Sequence, residues 1–171
     1  NAALAINLER GEADYIPVFT NPPDCDRLMK NPNFDWTDKE WSGSASIRIV
    51  FFNMNKTTAG KNRITSDVNV RRAISHAVNK SLHVERVAFG LGYATDTPFP
   101  PLITWQYPPD DKYRHYEYNV TKANEILDKA GYPKGPDGIR FRLDGPSGIE
   151  QTEYSKNMEI LKEELLAIGI D

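Results

Sequence analysis

The stretch Ile47-Arg-Ile-Val-Phe-Phe-Asn-Met-Asn55 constrains this chain more than any other. Its apolar residues first alternate with Arg48 and then occupy both faces through Val50, Phe52 and Met54. That pattern predicts a strand that enters half-exposed and ends buried, so the rest of the chain must cover it on two sides. Asn53 and Asn55 are out of place in such a run. A buried amide needs hydrogen-bond partners, so each asparagine is read either as a turn device or as part of a polar site.

Composition allows such a core. Of 171 residues, 39% are hydrophobic and 26% charged, with a formal net charge of −3. Acidic and basic residues are interspersed, which argues against a nucleic-acid-binding surface. No apolar run is long enough to span a bilayer. The only cysteine, Cys25, rules out an internal disulfide, and the acidic neighbours Asp24 and Asp26 disfavour its thiolate as a nucleophile. The sequence starts at Asn1 and runs past Gly169, a helix-stopping residue, so it reads as a piece of a longer protein.

In chain order, helices are expected over Ala2–Arg10 (closed by Gly11) and from Pro22-Pro23 to about Asn31. A short strand is expected between them, from Glu12 to Val18, and strand pieces with loop from Phe34 to Ser46. Thr57 to Asp67 reads as a polar loop. Val70, Ala73, Ile74, Ala77 and Val78 then fall at helical spacing, with Arg71, Arg72, Ser75 and His76 on the opposite, solvated face. Asn79 is read as the cap of a second helix that uses Leu82, Val84 and Val87 and breaks at Gly90. The proline-rich segment Thr95–Pro109 is an extended loop packed on a surface, because linkers seldom carry Phe99, Leu102, Ile103 and Trp105. Asn119 caps a helix whose buried face is Ala123, Ile126, Leu127 and Ala130, and Gly131-Tyr132-Pro133 stops it. Ile139, Phe141 and Leu143 alternate as a half-exposed strand. Tyr154, Met158, Leu161, Leu165 and Ile168 line the last helix. The class is α/β (mixed α+β), a mixed sheet covered by helices.

Few residues suggest chemistry. His76, His83 and His115 lack the cysteine or carboxylate spacing of a metal set and read as partly exposed helix residues, so no metal or other cofactor is expected. The adjacent pairs Asp110-Asp111 and Glu163-Glu164 read as solvated surface. Gly90-Leu-Gly92 follows a helix and lacks the remainder of a dinucleotide fingerprint. Of the sequons at Asn55, Asn79 and Asn119, the last two are better explained as helix caps. Nothing in the pattern calls for an enzyme.

The order of motifs goes further than any one of them. Ile49-Val-Phe-Phe-Asn-Met-Asn-Lys56 is followed by Asp67-Val-Asn-Val-Arg-Arg-Ala-Ile-Ser-His-Ala-Val-Asn-Lys-Ser-Leu82, Thr97-Pro-Phe-Pro-Pro101 and Tyr118-Asn-Val-Thr-Lys-Ala-Asn-Glu-Ile-Leu-Asp-Lys-Ala-Gly-Tyr-Pro133. With Gly11-Glu-Ala-Asp14 upstream and Ile160–Ile170 at the close, this series resembles the family 5 extracellular solute-binding proteins of bacterial ABC transporters. The resemblance implies part of a two-lobe, periplasmic-binding-protein-like fold. Residues 1–46 would belong to the first lobe, 47–56 to a strand crossing between lobes, and 57–171 to the main part of the second. It implies a periplasmic or lipid-anchored extracellular monomer that binds peptide, delivers it to membrane permease subunits and has no nucleic-acid partner. Phe52, Asn53, Asn55, Thr97 and Phe99 are the ligand-contacting residues it suggests. Nickel-chelate or haem cargo is the alternative, as is a ligand-sensing domain of a regulator. The chain departs from the family at Thr57-Thr58-Ala59-Gly60-Lys61, where Lys-Pro-Pro-Phe is usual, and at Asn79-Lys80.

Overall fold

A computed structural model describes residues 2–16, 22–36, 49–55, 57–58, 61–97, 115–145 and 152–171. Two short helices come first, α1 (Ala2–Glu9) and α2 (Pro22–Met29). Arg27 of α2 pairs with Glu9 of α1 and with Asp24 of its own helix. Residues 12–16 between them form no strand, contrary to the expectation there.

A small antiparallel ribbon, β1 (Thr57–Thr58) and β2 (Lys61–Asn62), occupies what reads in sequence as a loop. A 3-10 turn at Ile64–Ser66 then leads into α3 (Val68–Ala77). Asp67 caps α3, its side chain accepting from the Asn69 N–H at 2.8 Å. The elbow at Val78-Asn79 starts α4 (Lys80–Ala88), and α5 (Val120–Lys129) and α6 (Thr152–Ala167) complete the helices.

Two of the three caps at these helix starts are the asparagines named above. The Asn79 side chain accepts from Leu82 N–H at 3.1 Å, and that of Asn119 from Lys122 N–H at 2.8 Å. Side-chain caps of this kind satisfy donors of the first helical turn; the Leu82 N–H is shared with the Asn79 carbonyl at 3.0 Å. Asn119→Ala should therefore lower stability by about 1 kcal/mol, read as a lower urea midpoint with an unchanged m-value.

The core joins α3 and α5 with the end of α6. Val70, Ala73, Ile74 and Ala77 of α3 meet Ala123 and Leu127 of α5, together with Ile168 and Ile170. Small alanines on both helices let their backbones approach closely. The pair runs antiparallel and is tied at both ends. Asn119 N–H donates to the His76 carbonyl at 2.7 Å, and the Tyr132 hydroxyl donates to Asp67 Oδ2 at 3.2 Å.

Both α5 and α6 end in the same glycine motif. Tyr132 N–H reaches Leu127 O while Gly131 N–H reaches Asp128 O; Ile170 N–H reaches Leu165 O while Gly169 N–H reaches Leu166 O. Gly131 and Gly169 hold positive φ values of 86° and 79°, as this cap requires. Where α4 ends, a non-glycine residue takes the left-handed conformation: Phe89 has φ 52° and precedes Gly90.

Extended structure is sparser than expected. Phe141 and Ile170 form a parallel bridge, extended by Arg140 N–H to Gly169 O and Leu143 N–H to Asp171 O. The alternating segment 139–143 thus takes up pairing, with α6 as its crossover. Among the described residues there is no larger sheet. Within the run that opened the sequence, residues 49–55 make no strand ladder. Phe51 is 87% exposed and Val50 53%, so the expectation of burial is not met there. Among the described residues of this run, Phe52 packs against the core. Two-sided apolarity signals a need for cover, and the described elements cover one side chain of the run.

Candidate functional site

Asn53 sits where the chain turns out of that apolar run. Its Oδ1 accepts from the Asn55 N–H at 3.1 Å, and its carbonyl accepts from the Thr65 hydroxyl at 2.7 Å. The first contact is an Asx-turn, which is the local reading of an asparagine here. The second ties the run to the turn preceding α3. Asn55 is exposed.

Thr97 lies elsewhere. It is 5% exposed, and its N–H donates to Thr95 Oγ1 at 3.1 Å. Asp96 beside it pairs with Lys80, just beyond the end of α3 opposite to Thr65. A helix of 10 residues separates the two neighbourhoods by about 15 Å. Phe99 and the rest of the proline-rich segment through 114 lie outside the described residues.

Around the α3–α4 elbow the chain gathers a polar cluster that sequence spacing does not reveal. Lys80 Nζ lies 2.7 Å from Asp96 Oδ1 and donates to the Tyr116 carbonyl at 3.2 Å. His115 Nδ1 lies 3.1 Å from the other Asp96 oxygen. These residues, with Asn79, Tyr116 and Tyr118, line an open cavity of about 240 Å³. Burial pushes the Asp96 carboxyl upward, but the hydrogen bonds from Lys80 and His115 outweigh it and hold the carboxyl below its ordinary 3.8. Its pairing is present above that value and lost as pH falls through the lowered one.

His76 helps to place this wall. The sequence pattern puts it on the solvated face of α3, yet it is 4% exposed. Its Nδ1 lies 2.8 Å from the Glu117 carbonyl, and its ring meets Tyr116 edge-on at 5.2 Å. The segment 115–118 is thereby held across the end of α3. Glu164 also corrects its expected exposure: it is 8% exposed and faces His83 and Asn79. Neither residue's burial could be read locally, because their partners come from distant parts of the sequence.

The cluster can present an ammonium, a carboxylate, an imidazole and two phenol edges to a solute. No group of three or more metal-ligating side chains occurs among the described residues. No helix there is long and apolar enough to cross a membrane.

The fold is similar to part of a periplasmic binding protein. The ABC transporter-associated periplasmic binding protein DppA from Helicobacter pylori, solved with the peptide STSA, superposes on 99% of this chain and 29% of its own. The TM-score is 0.61 at 25% identity. The family follows from the sequence match. Residues 1–171 match the bacterial extracellular solute-binding proteins, family 5 Middle, and the chain belongs to that family. Among its relatives, a glutathione-binding protein GsiB of Escherichia coli O6:K15:H31 is 31% identical over 99% of the chain. The heme-binding protein A of Haemophilus influenzae is 30% identical over 75%. The chain spans 30% and 21% of the length of these two relatives.

Proposed function

We propose that this chain is a segment of the substrate-binding component of an ABC importer, which captures peptides outside the cytoplasmic membrane and delivers them to permease subunits. The family match across the whole chain carries this reading. Likeness to a peptide-bound periplasmic protein and to a glutathione-binding one supports peptide as the ligand class. In this reading residues 1–46 belong to the first lobe, 47–56 cross between lobes and 57–171 form most of the second. The protein is a periplasmic or lipid-anchored monomer without catalytic activity. Phe52, Asn53, Asn55, Thr97 and Phe99 contribute to the ligand cleft, in which backbone hydrogen bonds hold the peptide and side-chain pockets stay permissive.

A haem or metal-chelate cargo is the second reading, favoured by the haem-binding relative. Calorimetry on the full-length protein separates them. A di- to pentapeptide mixture should bind with a micromolar or tighter Kd, while haem and a nickel–histidine chelate give no heat. Saturable binding of haem or chelate without peptide binding would reject the peptide reading. Asn53→Ala should weaken peptide binding by roughly tenfold if its backbone turn positions the cleft floor, equivalent to about 1.4 kcal/mol.

A further inference from the structure

Both ring nitrogens of His83 meet side-chain oxygens of a single neighbouring helix. Nδ1 lies 2.9 Å from Asn157 Oδ1, and Nε2 lies 3.0 Å from Glu164 Oε2. Both oxygens belong to α6, while His83 belongs to α4. A neutral imidazole carries one N–H and cannot donate to two acceptors. The imidazolium can. The second Glu164 oxygen is also engaged, since Oε1 accepts the Asn79 N–H at 2.9 Å. One buried carboxylate thus ties His83 of α4 to the elbow where α4 begins, which also lines the cavity described above.

From this geometry we propose that His83, Asn157 and Glu164 form a pH-operated latch between α4 and α6, closed when His83 is an imidazolium and slackened when it is neutral. In the neutral ring one nitrogen must face an oxygen without a hydrogen between them. The Asn157 amide can relieve this by turning its NH2 toward Nδ1, which leaves a neutral bond to Glu164 in place of a charge-assisted one. Glu164 is the charged group facing His83 among the described side chains. Nearby on the two helices, Lys80 is drawn to Asp96, while Glu85, Arg86, Lys156 and Glu163 are exposed.

The sign follows from linkage. The hydrogen bond to Glu164 raises the His83 pKa above its ordinary 6.5, against the opposing effect of burial and with help from Asn157 and the Glu164 charge. A raised folded value stabilises the latch fully below 6.5, and the stabilisation is lost as pH rises through the higher folded value. The latch rests on this geometry and is independent of which solute the protein carries.

NMR titration of the histidine ring protons in the full-length protein tests it, with the His83 signal assigned by its absence from His83→Gln. The midpoint should lie above 6.5 and fall in Glu164→Gln, which removes the main cause of the rise. Hydrogen-exchange protection factors of wild-type α6 should fall several-fold between pH 6 and pH 9, which keeps the test decisive if a variant does not fold. A midpoint at or below 6.5, a midpoint unmoved by Glu164→Gln, or α6 protection that does not change with pH would each overturn the proposal.

Discussion

Replacing Gly169 with alanine will lower stability by roughly 3 kcal/mol, near the upper end for a single added methyl. Two separate costs combine. An alanine at φ 79° occupies the left-handed region at a cost of about 1 kcal/mol. Its Cβ would also lie 2.7 Å from the backbone oxygen of Gly138 and 3.1 Å from Arg140 Cγ. The first of these is main chain and cannot swing aside. The turn at 135–139 and the end of α6 must therefore separate, which strains the pairing of Arg140 N–H with Gly169 O. Equilibrium urea unfolding provides the measurement. A loss under 1 kcal/mol would mean that the turn yields freely and that Gly169 serves its helix cap alone. Gly131→Ala is the internal control, because it shares the positive φ but has nothing within 4 Å of the added Cβ. It should cost only the conformational part.

Arg140→Ala is expected to cost about 3 kcal/mol, for a different reason. The Arg140 side chain is 2% exposed, and its guanidinium spans three parts of the fold. Nε donates to the Ile168 carbonyl, one terminal nitrogen to the Tyr132 carbonyl and Asp128, and the other to Asn124 Oδ1. Truncation leaves two helix-end carbonyls without these donors and opens a void between α5 and α6. Arg140→Lys should recover less than half of the loss, because a point-like ammonium cannot fill a planar fork. Asp128→Asn should be milder, since that carboxylate is 57% exposed and water can replace it as a partner. The acid limb offers a further check. The hydrogen bond from Arg140 holds the Asp128 carboxyl below its ordinary 3.8, so its contribution is present above that value and fades as pH falls through the lowered one. The Arg140→Ala variant should lack that dependence. If alanine and lysine variants were equally stable, the fork geometry would not matter.

Helix faces and stops were legible in the sequence because they depend on residues within a turn or two of one another. The stripe Val70-Ala73-Ile74-Ala77, the caps Asn79 and Asn119, and the stops Gly131 and Gly169 are all local patterns. Asp67 reads in sequence as the end of a polar loop, yet it caps α3. The misplaced residues owe their environment to distant partners. His76 is buried by the segment around Tyr116, and Glu164 by α4. Phe51 shows the opposite failure: its apolar run demands cover that the described residues do not provide. Of the suggested ligand residues, Asn53 and Thr97 are placed by local turns that a sequence can suggest. Their relation to one another depends on α3 lying between them. The Lys80–Asp96–His115 cluster had no local signal at all.

The antiparallel α3–α5 pair also has an electrostatic consequence. The negative end of α3, at the His76 carbonyl, receives the Asn119 N–H at the positive end of α5, and α5 carries no acidic side chain in its first turn. Here one helix dipole terminates on the other instead of on a counter-charge drawn from the surface. Attraction between groups in direct contact within a packed seam is screened far less by salt than attraction between exposed charges. The central helix pair should thus keep its docking strength across wide changes in ionic strength.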